Sequence, residues 1–170
     1  RPAFFRGRVR GVVLVGTSAG RLMRGSPALR RIVPLLRVAS PVLDWGRAFN
    51  SFSVIKHWGL GPGAEERHVD MTNEMLLRAP LHVLTDFYPN FVGLDLTSGL
   101  DTIATAHTAI VCGADDQLTP PAHSRRLAEA IDGSSLRIVD GAGHMIAFEE
   151  HEVVTEAVED VLDQVREEMA

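Results

Sequence analysis

Two hydrophobic patterns divide this chain. At residues 11–16 (GVVLVG), 107–113 (HTAIVCG) and 136–139 (LRIV), apolar residues run together and stop at glycine or polar turn residues. Short uninterrupted runs rich in β-branched residues predict strands buried on both faces, the kind found in parallel sheets. A punctuated helix is expected between the second and third runs. Thr119 would cap it, Pro120 would take the first helical position, and Leu127, Ala128 and Ile131 would form its apolar stripe. Gly133 would supply the left-handed residue that ends it. Beyond the third run, Val154, Ala157, Val158, Val161, Leu162 and Val165 recur at three- and four-residue steps, which predicts an amphipathic helix with an acidic outer face. Residues 107–168 therefore read strand, helix, strand, helix. The expected class is α/β, with parallel strands, right-handed crossovers and flanking helices.

The stretch between the first two strands follows another pattern. Ser26-Pro27 and Ser40-Pro41 have the form of a cap followed by a first-turn proline. Leu29, Ile32, Val33, Leu35 and Leu36 precede the second of these, and Val42, Leu43, Trp45 and Phe49 follow it. Met71, Met75, Leu76, Leu77, Leu81, Val83, Leu84, Phe87, Tyr88 and Phe91 come later, past a break at Gly59, Gly61, Pro62 and Gly63. No strand pattern is present, so short apolar helices are expected. The predicted organisation is an α/β core made of 1–20 and 101–170, with 21–100 inserted as a helical lid. No internal repeat or low-complexity segment interrupts it.

Composition narrows the class of protein. The chain has 170 residues, 45% of them hydrophobic and 23% charged, and its mean hydropathy is +0.06. Those values predict one water-soluble globular domain with a sizeable core. No apolar run reaches the roughly 18 residues that a membrane helix needs, so stable membrane insertion is not expected. Cys112 is the single cysteine, which excludes an internal disulfide. The chain opens on Arg1 rather than Met, so the native N-terminus is expected to lie further upstream, and the cytoplasm is only a default location. Net charge is −5, yet no acidic residue precedes Asp44 and nine arginines do. A basic arm raises the question of nucleic acid. Lys56 is the only lysine, however, and the arginines form no stripe interleaved with aromatics, so no nucleic-acid partner is expected.

The chemistry is expected just past the second and third strands. In open parallel sheets, reactive groups gather beyond the carboxyl ends of strands, where loops converge and helix N-termini add positive potential. GADDQLTP leaves the second strand and GAGHMIAFEE leaves the third, which would bring a carboxylate and His144 to one edge. Acid before base on consecutive loops is the later half of a Ser…Asp…His order. These two loops resemble those of α/β-hydrolases of the esterase, lipase and haloperoxidase-like group. The resemblance covers most of the chain, with RVRGVVLVGTSAG similar to the strand after that family's nucleophile helix and the helical insertion similar to its lid. The family's G-x-x-D-x-x-x-P pattern selects Gly113, Asp116 and Pro120, and so Asp116 over Asp115. Its G-x-G-H segment falls on His144. The implied activity is Ser-His-Asp hydrolysis of an ester or acyl substrate with an apolar part, without cofactor or metal.

The nucleophile elbow, the oxyanion-hole loop and the earlier strands of that family have no counterpart here, so the serine is expected upstream of Arg1. Gly16-Thr17-Ser18-Ala19-Gly20 nonetheless matches G-x-S-x-G after a strand. Against Ser18 as nucleophile stand Gly25 and Pro27, which come too early for a long elbow helix, and the lack of a strand before Leu100. Ser18 stays as the weaker candidate, its bland alternative being a polar turn. Asp115 is expected to cap or bond within its loop, and His123 and His151 to be solvated on helices. His57, His68, His82 and His107 lack metal-ligand spacing, and Cys112 reads as a small core residue. The lid's methionines and aromatics would line an acyl pocket or pack between helices. The rival expectation is a truncated, non-catalytic module that pairs as a homodimer through the open edge of its first strand.

Overall fold

The computed structural model describes residues 2–20 and 55–170, together with 22, 35, 38 and 39. Three parallel strands form one sheet in the order β1-β2-β3, with β1 at Gly11–Val15, β2 at His107–Gly113 and β3 at Ser135–Val139. Gly11 lies opposite His107, and Ala109 lies opposite Ser135. Burial follows position in the sheet. The central β2 is buried from Thr108 to Gly113, whereas β1 and β3, each with a single neighbour among the described residues, are half-buried.

Helices cover both faces, which is why apolar residues run together at 12–15 and 109–112 rather than falling at alternate positions. Side chains alternate along a strand, so Val13, Val15, Ala109, Val111 and Val139 face one way. They pack with Ala142, Ile146, Ala157 and Val161, the last two on the long C-terminal helix His151–Met169. Leu14, Ile110 and Leu136 face the other way, against Leu100, Leu127 and Ile131. In chain order the helices are α1 (Pro2–Arg6), α2 (Glu66–Arg78), α3 (Leu81–Gly93), α4 (Leu100–Ile103), α5 (Pro121–Ala130), α6 (Ile146–Glu149) and α7 (His151–Met169). The three strand expectations hold to within a residue at each end. Among the described residues no helix is long and apolar enough to cross a membrane.

Two helix expectations need correction. The helix after β2 starts at Pro121 with Pro120 in the cap position, and Thr119 is engaged elsewhere. On α7, Ala157 and Val161 are buried but Val158 and Leu162 are 41% and 46% exposed, so the stripe is narrower than its periodicity suggested.

The two helix starts at Ser26-Pro27 and Ser40-Pro41 lie outside the described residues. Residues 55–58 are helical, and the chain then turns through Gly59–Gly63 as the glycines and proline require. α2 ends at Arg78, ahead of Pro80, because the residue before a proline is pushed into extended backbone. Ile55, Leu60 and Val69 form a small third core, against which Ala64 and Met145 pack. Met71, Met75, Leu76, Phe87 and Phe91 are exposed.

Candidate active site

Asp116 and His144 meet above the carboxyl ends of β2 and β3. Gly113 closes β2 and Asp116 follows three residues later, with its side chain fully buried. Val139 closes β3, and the turn through Gly141, at φ +78, brings His144 back over the same edge. Asp116 Oδ2 lies 2.9 Å from His144 Nδ1, although 28 positions separate the two residues. Four donors serve this carboxylate. The backbone N–H groups of Leu118 and Thr119 donate to Oδ1 at 2.8 and 2.7 Å, and the Thr119 hydroxyl donates to Oδ2 at 2.7 Å. His144 is the fourth.

Burial by itself pushes the Asp116 carboxyl up, but the hydrogen bonds from His144 and Thr119 outweigh it and hold the group below the usual carboxylate range. An ionised Asp116 makes Nδ1 of the neutral imidazole the protonated nitrogen, which leaves Nε2 as the lone-pair nitrogen. The His144 side chain is 26% exposed, so its ring is reachable from outside. Gly16, at the end of β1, faces this pair in the left-handed region at φ +48. A Cβ there would lie 3.2 Å from the His144 carbonyl oxygen and 3.5 Å from Nδ1, so a larger residue would crowd the imidazole.

Ser18 is held differently. Its hydroxyl lies 2.7 Å from His123 Nδ1 and 2.8 Å from the Gly20 carbonyl, and it accepts from the Gly20 N–H at 3.1 Å. None of its hydrogen bonds goes to His144. Arg126 Nη2 also lies 2.7 Å from His123 Nδ1. A guanidinium only donates, so it competes with the Ser18 hydroxyl for the one lone pair of Nδ1. Burial and the Arg126 charge hold His123 below its usual pKa. His123 is thus half-buried and hydrogen-bonded rather than solvated, while His151 is exposed as expected.

Asp115 is exposed, and its backbone N–H donates to the Ala142 carbonyl at 3.0 Å. Cys112 is buried within β2, and burial pushes its thiol up. Among the described residues no group of three or more His, Cys, Asp or Glu is placed to hold a metal. Two participants escaped the sequence reading. The sequence pattern reads Thr119 as a helix cap, although D-x-x-T is also the spacing at which an Asp side chain accepts from the second and third residues after it. Glu149, described below, gave no signal, because one of its partners lies 88 positions away.

No family model matches the chain, nor does any curated protein. Solved structures do. An esterase from Thermogutta terrifontis superposes with TM-score 0.66 at 20% identity, covering 95% of this chain and 58% of its own. An enol-lactonase from Burkholderia xenovorans LB400 gives TM-score 0.68 at 22%, with coverages of 95% and 60%. A bromoperoxidase from Bacillus anthracis gives 0.71 at 18%, with 92% and 59%. The chain thus spans 58–60% of the length of these structures. At such identities the agreement is one of architecture, and the chain has the fold of the C-terminal part of an α/β-hydrolase.

Proposed function

We propose that this chain contributes the acid and the base of a serine hydrolase acting on ester or acyl compounds. The observation that carries this reading is the 2.9 Å contact between the buried Asp116 carboxylate and His144 Nδ1. On this reading His144 Nε2 takes a proton from a serine as it attacks the substrate carbonyl, then returns it to the leaving group. Asp116 fixes the imidazole tautomer and stabilises the transient imidazolium. The nucleophile and the oxyanion donors come from a part of the hydrolase fold outside these residues. The exposed methionines and phenylalanines at 71–91 favour a substrate with an apolar part.

Asp116→Asn, made in the hydrolase that carries the serine together with this chain, tests the assignment in steady-state kinetics on a p-nitrophenyl ester. Turnover should fall by roughly 10⁴, because the amide presents the wrong partner to Nδ1. Unchanged turnover would remove Asp116 from the mechanism. A second reading, with Ser18 as the nucleophile, is favoured by the 2.7 Å approach of its hydroxyl to His123. A fluorophosphonate probe separates the two readings. Labelling that disappears in Ser18→Ala supports the second, and labelling on a serine outside residues 1–170 supports the first.

A further inference from the structure

We propose that Glu149 is a positioning residue that locks the histidine loop to the helical segment, so that the setting of His144 follows the setting of residues 59–61. The inference rests on the reading of His144 as the base. Glu149 is the last residue of α6 and is half-buried. Its Oε2 accepts from the Gly61 N–H at 2.6 Å, and its two oxygens accept from the Gly143 N–H at 3.0 and 3.2 Å. A third bond runs in parallel, from the Met145 N–H to the Gly59 carbonyl at 2.9 Å. His144 is therefore bracketed, since the residue before it and the residue after it both enter this seam.

The backbones meet without side chains between them. A Cβ on Gly61 would overlap the Gly141 carbonyl oxygen, and one on Gly143 would overlap the Gly61 nitrogen and the Leu60 carbonyl carbon. Leu60 is anchored in turn by Ile55 and Val69, with Met145 packed beside them. A carboxylate suits this position because it carries two acceptor oxygens and no donor, and its bonds to N–H groups are charge-assisted. Glu149 makes no ion pair with any described residue, so these amides are what answer its charge. A shift of residues 59–61 would break the first bond, loosen the hold on Gly143 and release the loop that aims the imidazole at Asp116.

The test is NMR on the ¹⁵N-labelled protein, comparing it with Glu149→Ala and Glu149→Gln. In Glu149→Ala the amides of Gly61 and Gly143 should exchange with solvent about tenfold faster or more, as loss of a charge-assisted bond implies. The low-field Nδ1 proton of His144, held by Asp116, should broaden or vanish while the β2 amides keep their protection. Glu149→Gln retains one acceptor and the side-chain volume. It should lose protection at one of the two amides and weaken the His144 signal, and it decides the matter if the alanine variant does not fold. Unchanged exchange at both glycines would overturn the link. Faster exchange with an unchanged His144 proton would overturn the positioning role. Because the readout follows an imidazole and not turnover, this proposal and the kinetic test of Asp116 fail independently.

Discussion

Asp116 gathers four hydrogen bonds on a carboxylate that water does not reach, and two of them come from Thr119. Thr119→Val keeps the shape and the N–H but removes the hydroxyl. It should cost about 1.5–3 kcal/mol, the scale of one bond to a charged group, measured by urea denaturation. It should also raise the Asp116 pKa in a carboxyl ¹³C titration. The depressed pKa has a consequence for acid stability. A carboxylate whose folded value lies below its unfolded value of 3.8 adds stability that is present above that value and is lost as pH falls through the folded one. The melting temperature of the native protein should therefore drop more steeply below pH 3.8 than that of Asp116→Asn, and parallel curves would contradict the linkage. At this scale the choice of Asp116 over Asp115 came from the resemblance to the α/β-hydrolase G-x-x-D-x-x-x-P pattern. The role of Thr119 was not legible in the sequence, because its hydroxyl could serve a helix or a carboxylate and only its 2.7 Å contact with Asp116 Oδ2 shows which.

Among the elements, β2 carries the core, with Ile110 and Val111 buried on opposite faces. Ile110→Ala should cost about 2–5 kcal/mol in chemical denaturation, since the void left in a packed core refills only in part. Cys112 lies beside them with its thiol buried and pushed up. It should react with a disulfide reagent only after unfolding, and rapid native-state labelling would contradict its core placement. Strands were readable because apolar runs closed by glycine leave few alternatives, and β2 was readable end to end. Helix edges were less so. The start of α5 moved one residue past its expected position, and Val158 and Leu162 of α7 share the helical period of Val161 yet lie outside the contact. A period identifies which residues share a face, whereas their cover depends on how wide the neighbouring surface is.

Across the whole molecule, exposed apolar side chains are unevenly placed. Trp58, Met71, Met75, Leu76, Phe87, Phe91 and Leu96 all belong to the helical segment and its return, and β1 has one sheet neighbour among the described residues. Such surfaces associate. Sedimentation velocity should show association that grows with protein concentration and reverses in mild non-ionic detergent, and a monomer at every concentration would speak against it. The sequence alone determined the α/β alternation, the three strands, the two loops that carry the candidate acid and base, and the helical character of 66–93. It could do so because periodicity and turn residues act over a few neighbouring positions. Only the tertiary structure decided that Thr119 serves Asp116, that His123 holds Ser18, and that Glu149 joins Gly61 to Gly143. Each of those is a meeting of groups whose partners are chosen by the path of the backbone through space, and no local pattern encodes that path.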